Sequence, residues 1–437
     1  MLINFKTHID KTFPFLTKSK LLIAISGGID SVVLTHLCHS AKLNITLAHC
    51  NFNLRGDESD ADENFVVALA EHLNVEVFTQ RFDTKAYATD NKCSIQMAAR
   101  DLRYNWFSEL AAQLQFDYIL TAHHADDNLE TFLINFTRGT GLEGLTGIPE
   151  INDTFVRPLL PFSSEQIKAY ANANNITWRE DSSNASVKYL RNKLRHQVVP
   201  ILKEINPSLL QSFQTTLENL NDTADIVEES TNAVLKRAIE TMNEHFITFK
   251  ISEFKKVNNP KAYMFEVFKS FGFTEWNDMV ALLDAETGKQ IRSNTHRLVK
   301  NREHLLLSPF KNNNAPEEIS ISKTEIQKET PFGVLYFEAV DAILKPEQHT
   351  IYVDKDKLKY PLVLRKKQEG DVLYPLGMTG KKKLSKYFKD EKLSLLDKEN
   401  TWLLCSENTI VWVVGKRADE RFKVTKSTKQ ILKIQLR

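Results

Sequence analysis

Two short stretches near the start of the chain have the residue types and spacing needed for chemistry. The first, Ser26 to Ser31, reads SGGIDS and directly follows the apolar run Leu21 to Ile25. Glycine has no Cβ, so a backbone containing it can bring N–H groups close to an anion, and a helix that begins there adds donors and a positive dipole end. The stretch therefore predicts a phosphate-binding turn between a buried strand and a helix. An ordinary strand–helix connection that needs glycine for its geometry is the alternative.

The second stretch is residues 123 to 131, which read HHADDNLET. If a helix begins near Ala125, Asp126 or Asp127 shares a face with Glu130, because residues three and four apart are neighbours on a helix. Several carboxylates and two imidazoles at a strand end predict a pocket for Mg²⁺ or an amine. Acidic residues that complement a helix dipole would explain one aspartate, but not the histidines and Glu130 as well.

The segment that carries both stretches alternates strands and helices. Further strands are expected at Asn44–Asn51, Val75–Phe82 and Tyr118–His123, with helices at Ser59–Leu73, Ser94–Gln115 and Ala125–Thr137. This order predicts an α/β fold with a doubly wound, Rossmann-like parallel sheet. Ligands of such sheets bind at the carboxyl ends of the strands, where residues 26–31, 49–55 and 123–127 should meet.

A third group, Gln96, Arg100 and Arg103, recurs at helical spacing within the helix expected after Ser94. Residues at this spacing lie on one helix face, so the three side chains could contact a phosphate from one side. A solvated basic face is the alternative.

The rest of the chain differs in character from its first part. Phe213 to Met242 has the apolar spacing of a long amphipathic helix, and residues 311–318 (KNNNAPEE) resemble a linker. Strands dominate after that, including a hairpin around Ser406–Asn408. We expect a catalytic domain at residues 1–210, a mainly helical middle domain at 211–315 and a basic α+β domain at 316–437.

Composition narrows the class of protein. The chain has 437 residues, of which 42% are hydrophobic and 26% charged, as in ordinary globular proteins. Its longest apolar runs are shorter than a membrane span and its N-terminus lacks the apolar core of a secretory signal, so we expect a cytoplasmic protein without membrane contact. Four scattered cysteines without a CxxC pair argue against a disulfide framework, a zinc site or an iron–sulfur cluster.

The net charge of +1 hides a basic C-terminal end. Residues 355–437 contain 21 Lys and Arg against 10 Asp and Glu. Positive charge concentrated at one end suits an anionic partner larger than a metabolite, and nucleic acid is the obvious candidate. A solvated basic surface is the alternative.

The motifs together resemble a known family. SGGIDS lacks the Gly-Lys-Ser/Thr ending of a Walker A loop and resembles the PP-loop of the N-type ATP pyrophosphatases, which split ATP between its α and β phosphates. The order of the motifs is that of the tRNA(Ile)-lysidine synthetase family: SGGIDS, AHCNFNLR (48–55), QMAARDLRY (96–104), HHADDNLET, RGTGLEGLTG (138–147), RPLL (157–160) and EDSSN (180–184). Residues 370–390 and 415–425 resemble that family's last domain. One departure is Cys50 with Phe52, where relatives tend to carry a further histidine, so no histidine beyond His49 is expected to act there.

The resemblance implies a two-step reaction with ATP and Mg²⁺. ATP adenylylates the C2 oxygen of the wobble cytidine in an isoleucine tRNA with a CAU anticodon, and free L-lysine then displaces AMP to give lysidine, so that the tRNA reads AUA codons. The resemblance also implies the site residues. The ATP-binding residues are Ser26, Gly27, Gly28, Ile29, Asp30 and Ser31, and the metal ligands are Asp30 and Asp127. Asp126 and Glu130 bind the lysine amine, and His123 and Arg103 are catalytic beside Asp30 and Asp127 through contacts to phosphate or base.

For the tRNA, the resemblance points to two basic regions. The residues expected to contact its phosphates are Arg191 and Arg195, within a cluster that includes Lys188 and Lys193, and Lys381, Lys382, Lys383, Lys386, Lys389, Arg417 and Arg421 in the C-terminal end. A homodimer is possible, but the sequence does not give the oligomeric state. The competing functions are a tRNA thiolase or an amidating synthetase on the same ATP-binding domain, and a non-catalytic RNA-binding protein.

Overall fold

A computed structural model of the chain describes residues 1–180, 190–243, 245–310, 318–343 and 349–437. It divides into two compact units, Met1–Glu228 and Glu229–Arg437. No helix among these described residues is long and apolar enough to cross a membrane. The three expected domain ranges remain a prediction.

The first unit alternates strands and helices as the sequence predicts. Its strands are β1 Lys20–Ala24, β2 Asn44–Asn51, β3 Val77–Arg81, β4 Tyr118–Leu120, β5 Ile151–Asn152 and β6 Phe155–Val156. Its helices are α1 Leu2–Thr12, α2 Ile29–Ser40, α3 Asp57–Leu73, α4 Thr84–Asp90, α5 Ile95–Leu114, α6 Ala125–Arg138, α7 Leu142–Leu145, α8 Ser164–Ala173, α9 Leu190–Lys193, α10 Val199–Ile205 and α11 Leu209–Ala238, which ends in the second unit.

These strands form one sheet with the order β3-β2-β1-β4-β6-β5, in which β3, β2, β1, β4 and β6 run parallel. Side chains of β1 alternate between two cores: Leu21 and Ile23 pack with α1 and α2 on one face, and Leu22 packs with α5 on the other. Both faces are therefore buried, which confirms the doubly wound α/β fold. Several details differ from expectation. Helix α3 begins at Asp57 instead of Ser59, and α4 was not predicted. Strand β4 ends at Leu120 instead of His123, and the β5–β6 hairpin at the sheet edge was not predicted.

Helix ends in this unit follow local capping chemistry. The Ser94 hydroxyl accepts a hydrogen bond from the Met97 N–H at 3.2 Å, which starts α5 where the sequence predicted it. Ser163 and Gln166 form a reciprocal capping box at the start of α8. Between α9 and α10, Leu194–Val198 makes a π-helical turn, a form that often occurs at functional positions.

The second unit consists of antiparallel sheets with short helices. Its strands are β7 Ile239–Met242, β8 Ile247–Lys250, β9 Gln290–Arg292, β10 His296–Asn301, β11 His304–Pro309, β12 Glu318–Ile321, β13 Gln327–Thr330, β14 Gly333–Val340, β15 Thr350–Asp354, β16 Leu362–Arg365, β17 Val372–Leu373, β18 Lys382–Lys383, β19 Leu403–Ser406, β20 Thr409–Val413 and β21 Ile431–Leu436. Its helices are α12 Ile251–Lys255, α13 Pro260–Phe268, α14 Trp276–Ala281, α15 Leu384–Asp390 and α16 Leu395–Asn400.

Three sheets of four or five strands organise this unit. The strand orders are β7-β8-β11-β10-β9, β12-β16-β19-β20 and β13-β14-β21-β15, with β17 and β18 as a separate pair. The predicted hairpin is confirmed as β19–β20. The long helix was predicted four residues too far, because residues 239–242 pair with β8 as strand β7. Of the expected linker 311–318, only Glu318 lies among the described residues, and it begins β12.

Candidate active site

The turn between β1 and α2 presents backbone N–H groups to an anion. Gly27 has a φ of +89°, which a residue with a side chain rarely adopts. The Ser31 hydroxyl accepts a hydrogen bond from the Ser26 N–H at 3.2 Å and donates one to the Gly28 carbonyl at 3.0 Å, which holds the turn closed. The first N–H groups of α2 have no carbonyl one turn earlier to bind. The turn therefore has the geometry of a phosphate site, as the sequence predicts.

His124 joins this turn to the start of α6. Its Nδ1 accepts a hydrogen bond from the Asp127 N–H at 3.4 Å, and the Asp127 carboxylate accepts one from the His124 N–H at 3.2 Å, which together cap the helix. Because Nδ1 accepts, we place the ring proton on Nε2. This atom lies 3.4 Å from Asp127 Oδ2 and 3.7 Å from Asp30 Oδ1. A buried imidazole thus stands between the two aspartates that were predicted as metal ligands.

Asp30 and Asp127 are close enough to influence each other. Burial raises the pKa of Asp30 above its ordinary value; His124 opposes this shift and the Asp127 carboxylate adds to it. Two carboxylates that repel each other in a partly buried site favour a cation between them. Mg²⁺ is usually held by one or two carboxylates together with substrate phosphates, so this donor set fits Mg²⁺. Among the residues that the structure describes, no group of three or more His, Cys, Asp or Glu could hold a metal by itself.

Glu130 is held by Arg195, which lies in the π-helical turn. The Arg195 Nε donates to Glu130 Oε1 at 2.6 Å, and one terminal nitrogen donates to Glu130 Oε2 and Asp127 Oδ1, both at 2.9 Å. Burial alone would lower the pKa of Arg195, but the bonds to Glu130 outweigh it and raise that pKa. Arg191 also reaches this helix, where it donates to the Thr131 hydroxyl at 2.7 Å. Arg191 and Arg195, two of the arginines expected to bind tRNA, therefore contact α6 in this structure.

Asp126 faces a different set of groups. One carboxylate oxygen accepts from Lys203 Nζ at 2.6 Å and the other from the Ser164 N–H at 2.8 Å. Lys203 also donates to Glu165 at 2.5 Å. Burial raises the pKa of Asp126, yet the bond from Lys203 and the bond from Ser164 outweigh it, so the pKa lies below its ordinary value. The two carboxylates predicted to bind lysine thus carry cationic partners from the chain itself.

A cavity of about 470 Å³ opens where β1 and β4 end, at the point where strand order reverses. Its lining comes from all three strand ends named in the sequence analysis and from α5. The lining residues are Ala24, Ile25, Ser26, Gly28, Asp30, Ser31, Cys50, Phe52, Arg100, Arg103, Tyr104, Phe107, Thr121, Ala122, His123, Asp127 and Arg191. The structure therefore brings together Ser26, Asp30, Arg103, His123 and Asp127, as expected.

His123 lines this cavity as a neutral imidazole. Burial lowers the pKa of His123 to about 4; Asp127 opposes the shift, while Arg157, Arg191 and His124 add to it. Its Nδ1 lies 3.0 Å from the Thr121 hydroxyl. At neutral pH the imidazole is neutral, so it can form hydrogen bonds with a substrate without adding positive charge.

A second cavity, of about 410 Å³, adjoins the first and shares Ser26, Cys50, Phe52 and Arg103 with it. Arg103 lies over the Phe52 ring, 5.2 Å from its centroid, and so faces both cavities. His49 lines the second cavity, where its Nδ1 is 2.9 Å from the Ile25 carbonyl oxygen. Burial raises the pKa of the Cys50 thiol to about 12, which leaves it protonated and unsuited to nucleophilic chemistry.

The C-terminal cations differ in their surroundings. Lys381, Lys383 and Lys386 are exposed. Lys382 pairs with Asp390 at 2.5 Å. Arg421 donates three hydrogen bonds to the carboxylate of the fully buried Asp419, two from its guanidinium and one from its backbone N–H. It also lies 4.3 Å from the Tyr374 ring centroid, so it supports the local fold. Arg417 interacts with the Tyr387 hydroxyl.

Several functional contacts were missed by sequence reasoning. Lys203 and Arg179 belong to none of the motifs, and only the fold shows that they meet α6 and the turn at residues 26–31. His124 belongs to HHADDNLET, but its place between Asp30 and Asp127 was not predicted. Lys188 and residues 181–184 of the EDSSN motif lie outside the described residues.

Family models match three parts of the chain. They are a PP-loop domain at residues 1–202, a TilS substrate binding domain at 242–310 and a TilS substrate C-terminal domain at 362–436. The chain is 39% identical to a tRNA(Ile)-lysidine synthase of Parabacteroides distasonis over 99% of each chain, and 38% identical to one of Bacteroides thetaiotaomicron over 97% of each. The chain belongs to the tRNA(Ile)-lysidine synthase family. A relative from Porphyromonas gingivalis is 36% identical over 92% of this chain and 91% of its own.

Membership in the tRNA(Ile)-lysidine synthase family confirms the resemblance that the motifs predicted, and with it an ATP-dependent ligase. The PP-loop match spans the first sheet and both cavities described above. The turn at residues 26–31, called the phosphate turn below, therefore lies within the matched PP-loop domain. The roles of individual residues remain predictions.

Proposed function

We propose that this chain joins free L-lysine to C2 of the wobble cytidine in the CAU anticodon of tRNA(Ile). The products are lysidine, AMP and pyrophosphate, and the modified tRNA reads AUA codons as isoleucine. The observation that carries the proposal is the first cavity, which is lined by the phosphate turn with its Asp30 and by Asp127 and His123. The names of the full-length relatives support the same reaction.

In the first step the C2 oxygen of the cytidine attacks the α-phosphorus of ATP, and pyrophosphate leaves. The residues at 26–31 would hold the β and γ phosphates through backbone N–H groups at the start of α2. Asp30 and Asp127 would hold Mg²⁺, which supplies charge neutralisation to the phosphates when bound. His124 keeps the two carboxylates together by facing both of them.

Arg103 and His123 would contact the phosphate or the cytidine base in this step. Arg103 lies between the two cavities, so its guanidinium can reach an anion in either one. The neutral His123 can hydrogen-bond to a base edge or a phosphate oxygen without a charge of its own. Such oriented donors stabilise charge that develops during phosphoryl chemistry.

In the second step the ε-amino nitrogen of lysine attacks C2, and the C2–O bond breaks as AMP leaves with that oxygen. Asp126 and Glu130 would attract the lysine ammonium, and one of these carboxylates would accept the proton that the nitrogen loses in order to attack. Lys203 supports this role, since its ammonium already lies between Asp126 and Glu165 at hydrogen-bond distance. The proposal requires the substrate to share or replace the contacts that Lys203 and Arg195 make to these carboxylates.

The tRNA would be held by the basic groups of both units. Exposed Lys381, Lys383 and Lys386 suit contacts to phosphates, and Arg191 lines the first cavity, where an unpaired wobble base could enter. The homodimer remains a prediction, which sedimentation analysis of the full chain would test.

The direct experiment incubates the full chain with total tRNA, ATP, Mg²⁺ and labelled lysine. The expected result is label in tRNA together with AMP. Label that fails to enter tRNA, with AMP absent as well, would contradict the proposal.

The role of Asp127 has its own test. Asp127→Asn removes one of the two charges proposed to hold Mg²⁺, and should lower tRNA-dependent exchange between ATP and pyrophosphate about 100-fold or more. Full exchange activity in this variant would rule out the assigned role.

A further inference from the structure

The backbone at Arg179 makes a hydrogen bond with the phosphate turn. The Arg179 N–H donates to the Gly27 carbonyl at 2.9 Å. In a trans peptide the C=O and the following N–H point in opposite directions. The Gly28 N–H therefore faces away from Arg179, and it donates to the Ser26 hydroxyl at 3.3 Å.

The Arg179 side chain anchors this contact on α3. Its Nε donates to Asp62 Oδ1 at 3.0 Å, and the other oxygen of Asp62 accepts from Arg55 at 2.8 Å. Asp62 is buried, whereas the Arg179 side chain is 40% exposed. Trp178, the preceding residue, packs against the core of the first unit. The backbone of residue 179 is thus held by its own side chain, through Asp62, and by the packing of the preceding Trp178.

Without its hydrogen bond from Arg179, the Gly27–Gly28 peptide plane could rotate. It joins two glycines, and neither has a side chain to restrict rotation of the peptide plane. If it flipped, the Gly27 carbonyl would turn from Arg179 towards the side of the turn that faces the cavity. A carbonyl oxygen there would repel a phosphate oxygen, and the orientation of the donors that bind it would be lost.

We propose that Arg179 is a positioning residue that locks the Gly27–Gly28 peptide in the orientation that receives the ATP phosphates. The Arg179 N–H holds the Gly27 carbonyl by a hydrogen bond, and the ion pair between the Arg179 side chain and Asp62 keeps that N–H in position. The proposal rests on the ATP-binding part of the proposed function. It assigns Arg179 no contact with lysine or tRNA.

Three variants of residue 179 separate the two contacts. Arg179→Ala keeps the N–H and loses the anchor, and we expect the Kd for MgATP to rise about fivefold to tenfold. Arg179→Lys keeps the N–H and a cation that can reach Asp62, so it should recover most of that loss. Arg179→Pro removes the N–H itself and should raise the Kd about 10-fold to 100-fold, because the Gly27 carbonyl is left without its donor.

The matched control is Arg81→Ala. Arg81 also pairs with a carboxylate of α3, Glu63, at 2.9 Å, but it has no contact with the phosphate turn among the described residues. This variant should leave the Kd for MgATP unchanged. Asp62→Asn removes the same ion pair together with the one to Arg55, so it should raise the Kd at least as much as Arg179→Ala. Adding Arg179→Ala to Asp62→Asn should then cost little more, since the ion pair with Arg179 is already lost.

MgATP binding is measured by titration calorimetry without tRNA or lysine, and the KM values for ATP and lysine follow in the complete assay. The expected pattern is a rise in Kd and KM for ATP with an unchanged KM for lysine. Equal Kd values for the Ala variants at 179 and 81, or a larger change in the lysine KM than in the ATP KM, would overturn the proposal. Because binding is measured apart from lysidine formation, a wild-type chain that binds ATP and makes no lysidine would contradict the proposed function only.

Discussion

The pair of Glu130 and Arg195 offers a quantitative test of how the N-terminal half of α6 is held in place. The Glu130 side chain is 1% exposed and accepts two hydrogen bonds from Arg195, whose side chain is 36% exposed. Removing one partner of a buried ion pair leaves an uncompensated charge, which typically costs about 3–5 kcal/mol. The exposure of Arg195 reduces that figure, because solvent screens the charge on its side.

Replacing Arg195 alone and replacing Glu130 alone should therefore lower the free energy of unfolding by different amounts. Arg195→Met leaves the buried Glu130 carboxylate with Arg191 Nε at 3.8 Å, and we expect a loss of about 2–3 kcal/mol in the free energy of unfolding. Glu130→Gln leaves Arg195 partly solvated and still bonded to Asp127, so its cost should be about 1–2 kcal/mol. The double variant removes both charges of the Glu130–Arg195 pair and takes from Asp127 only its bond from Arg195, so it should cost about 2 kcal/mol, less than the two losses added.

Equilibrium urea unfolding of the full chain at neutral pH, followed by circular dichroism, measures these differences. Arg81→Ala is the control, because an ion pair whose arginine is 61% exposed should contribute less than about 1 kcal/mol. Single losses that add in the double variant to within about 0.5 kcal/mol would refute the reasoning, since they would show that the two side chains do not stabilise each other.

Two further changes test other contacts. Lys203→Met should destabilise the chain by about 1–2 kcal/mol at neutral pH. The folded pKa of Asp126 is lowered, so the stability it contributes is present above its unfolded pKa and is lost as pH falls through the folded value. Melting temperatures of wild type and variant should accordingly converge in acid, and a gap that persists there would count against the pairing with Asp126. Replacing Lys381, Lys383 and Lys386 by Gln should weaken tRNA binding and reduce the slope of log K against log salt by about 2–3, as filter binding at several salt concentrations would measure; an unchanged slope would mean that these lysines do not contact phosphates.

The phosphate turn could be predicted because its signal is local. An apolar run that ends in two glycines and continues as a helix contains both the strand and the turn within about a dozen residues, as observed from Lys20 to Ser31. The face shared by Asp127 and Glu130 is local for the same reason, since helical spacing alone sets it. Their joint contact with Arg195 could not be read in this way, because it joins residues 65 and 68 positions apart.

Contacts across long separations explain what the sequence missed. Lys203 meets Asp126 over 77 positions and Arg179 meets Asp62 over 117, and no spacing rule relates such residues. His124 was grouped with His123 in the sequence, yet one caps α6 between two aspartates and the other lines the cavity. The two histidines take different positions because the chain turns between the end of β4 and the start of α6, and their adjacent places in the sequence do not show this. The strand β7 was missed because its partner β8 decides it, while its own residues continue the pattern of α11.

The most direct test of the proposed function examines the modified nucleotide itself. The full chain is incubated with ATP, Mg²⁺, lysine and a transcript of tRNA(Ile) with a CAU anticodon, and the tRNA is digested to nucleosides for mass spectrometry. A second transcript carries uridine at the wobble position. We predict one lysine added to the wobble cytidine for each AMP released, and no addition to the uridine transcript. Lysine found elsewhere in the tRNA, or AMP released without it, would contradict the proposed function.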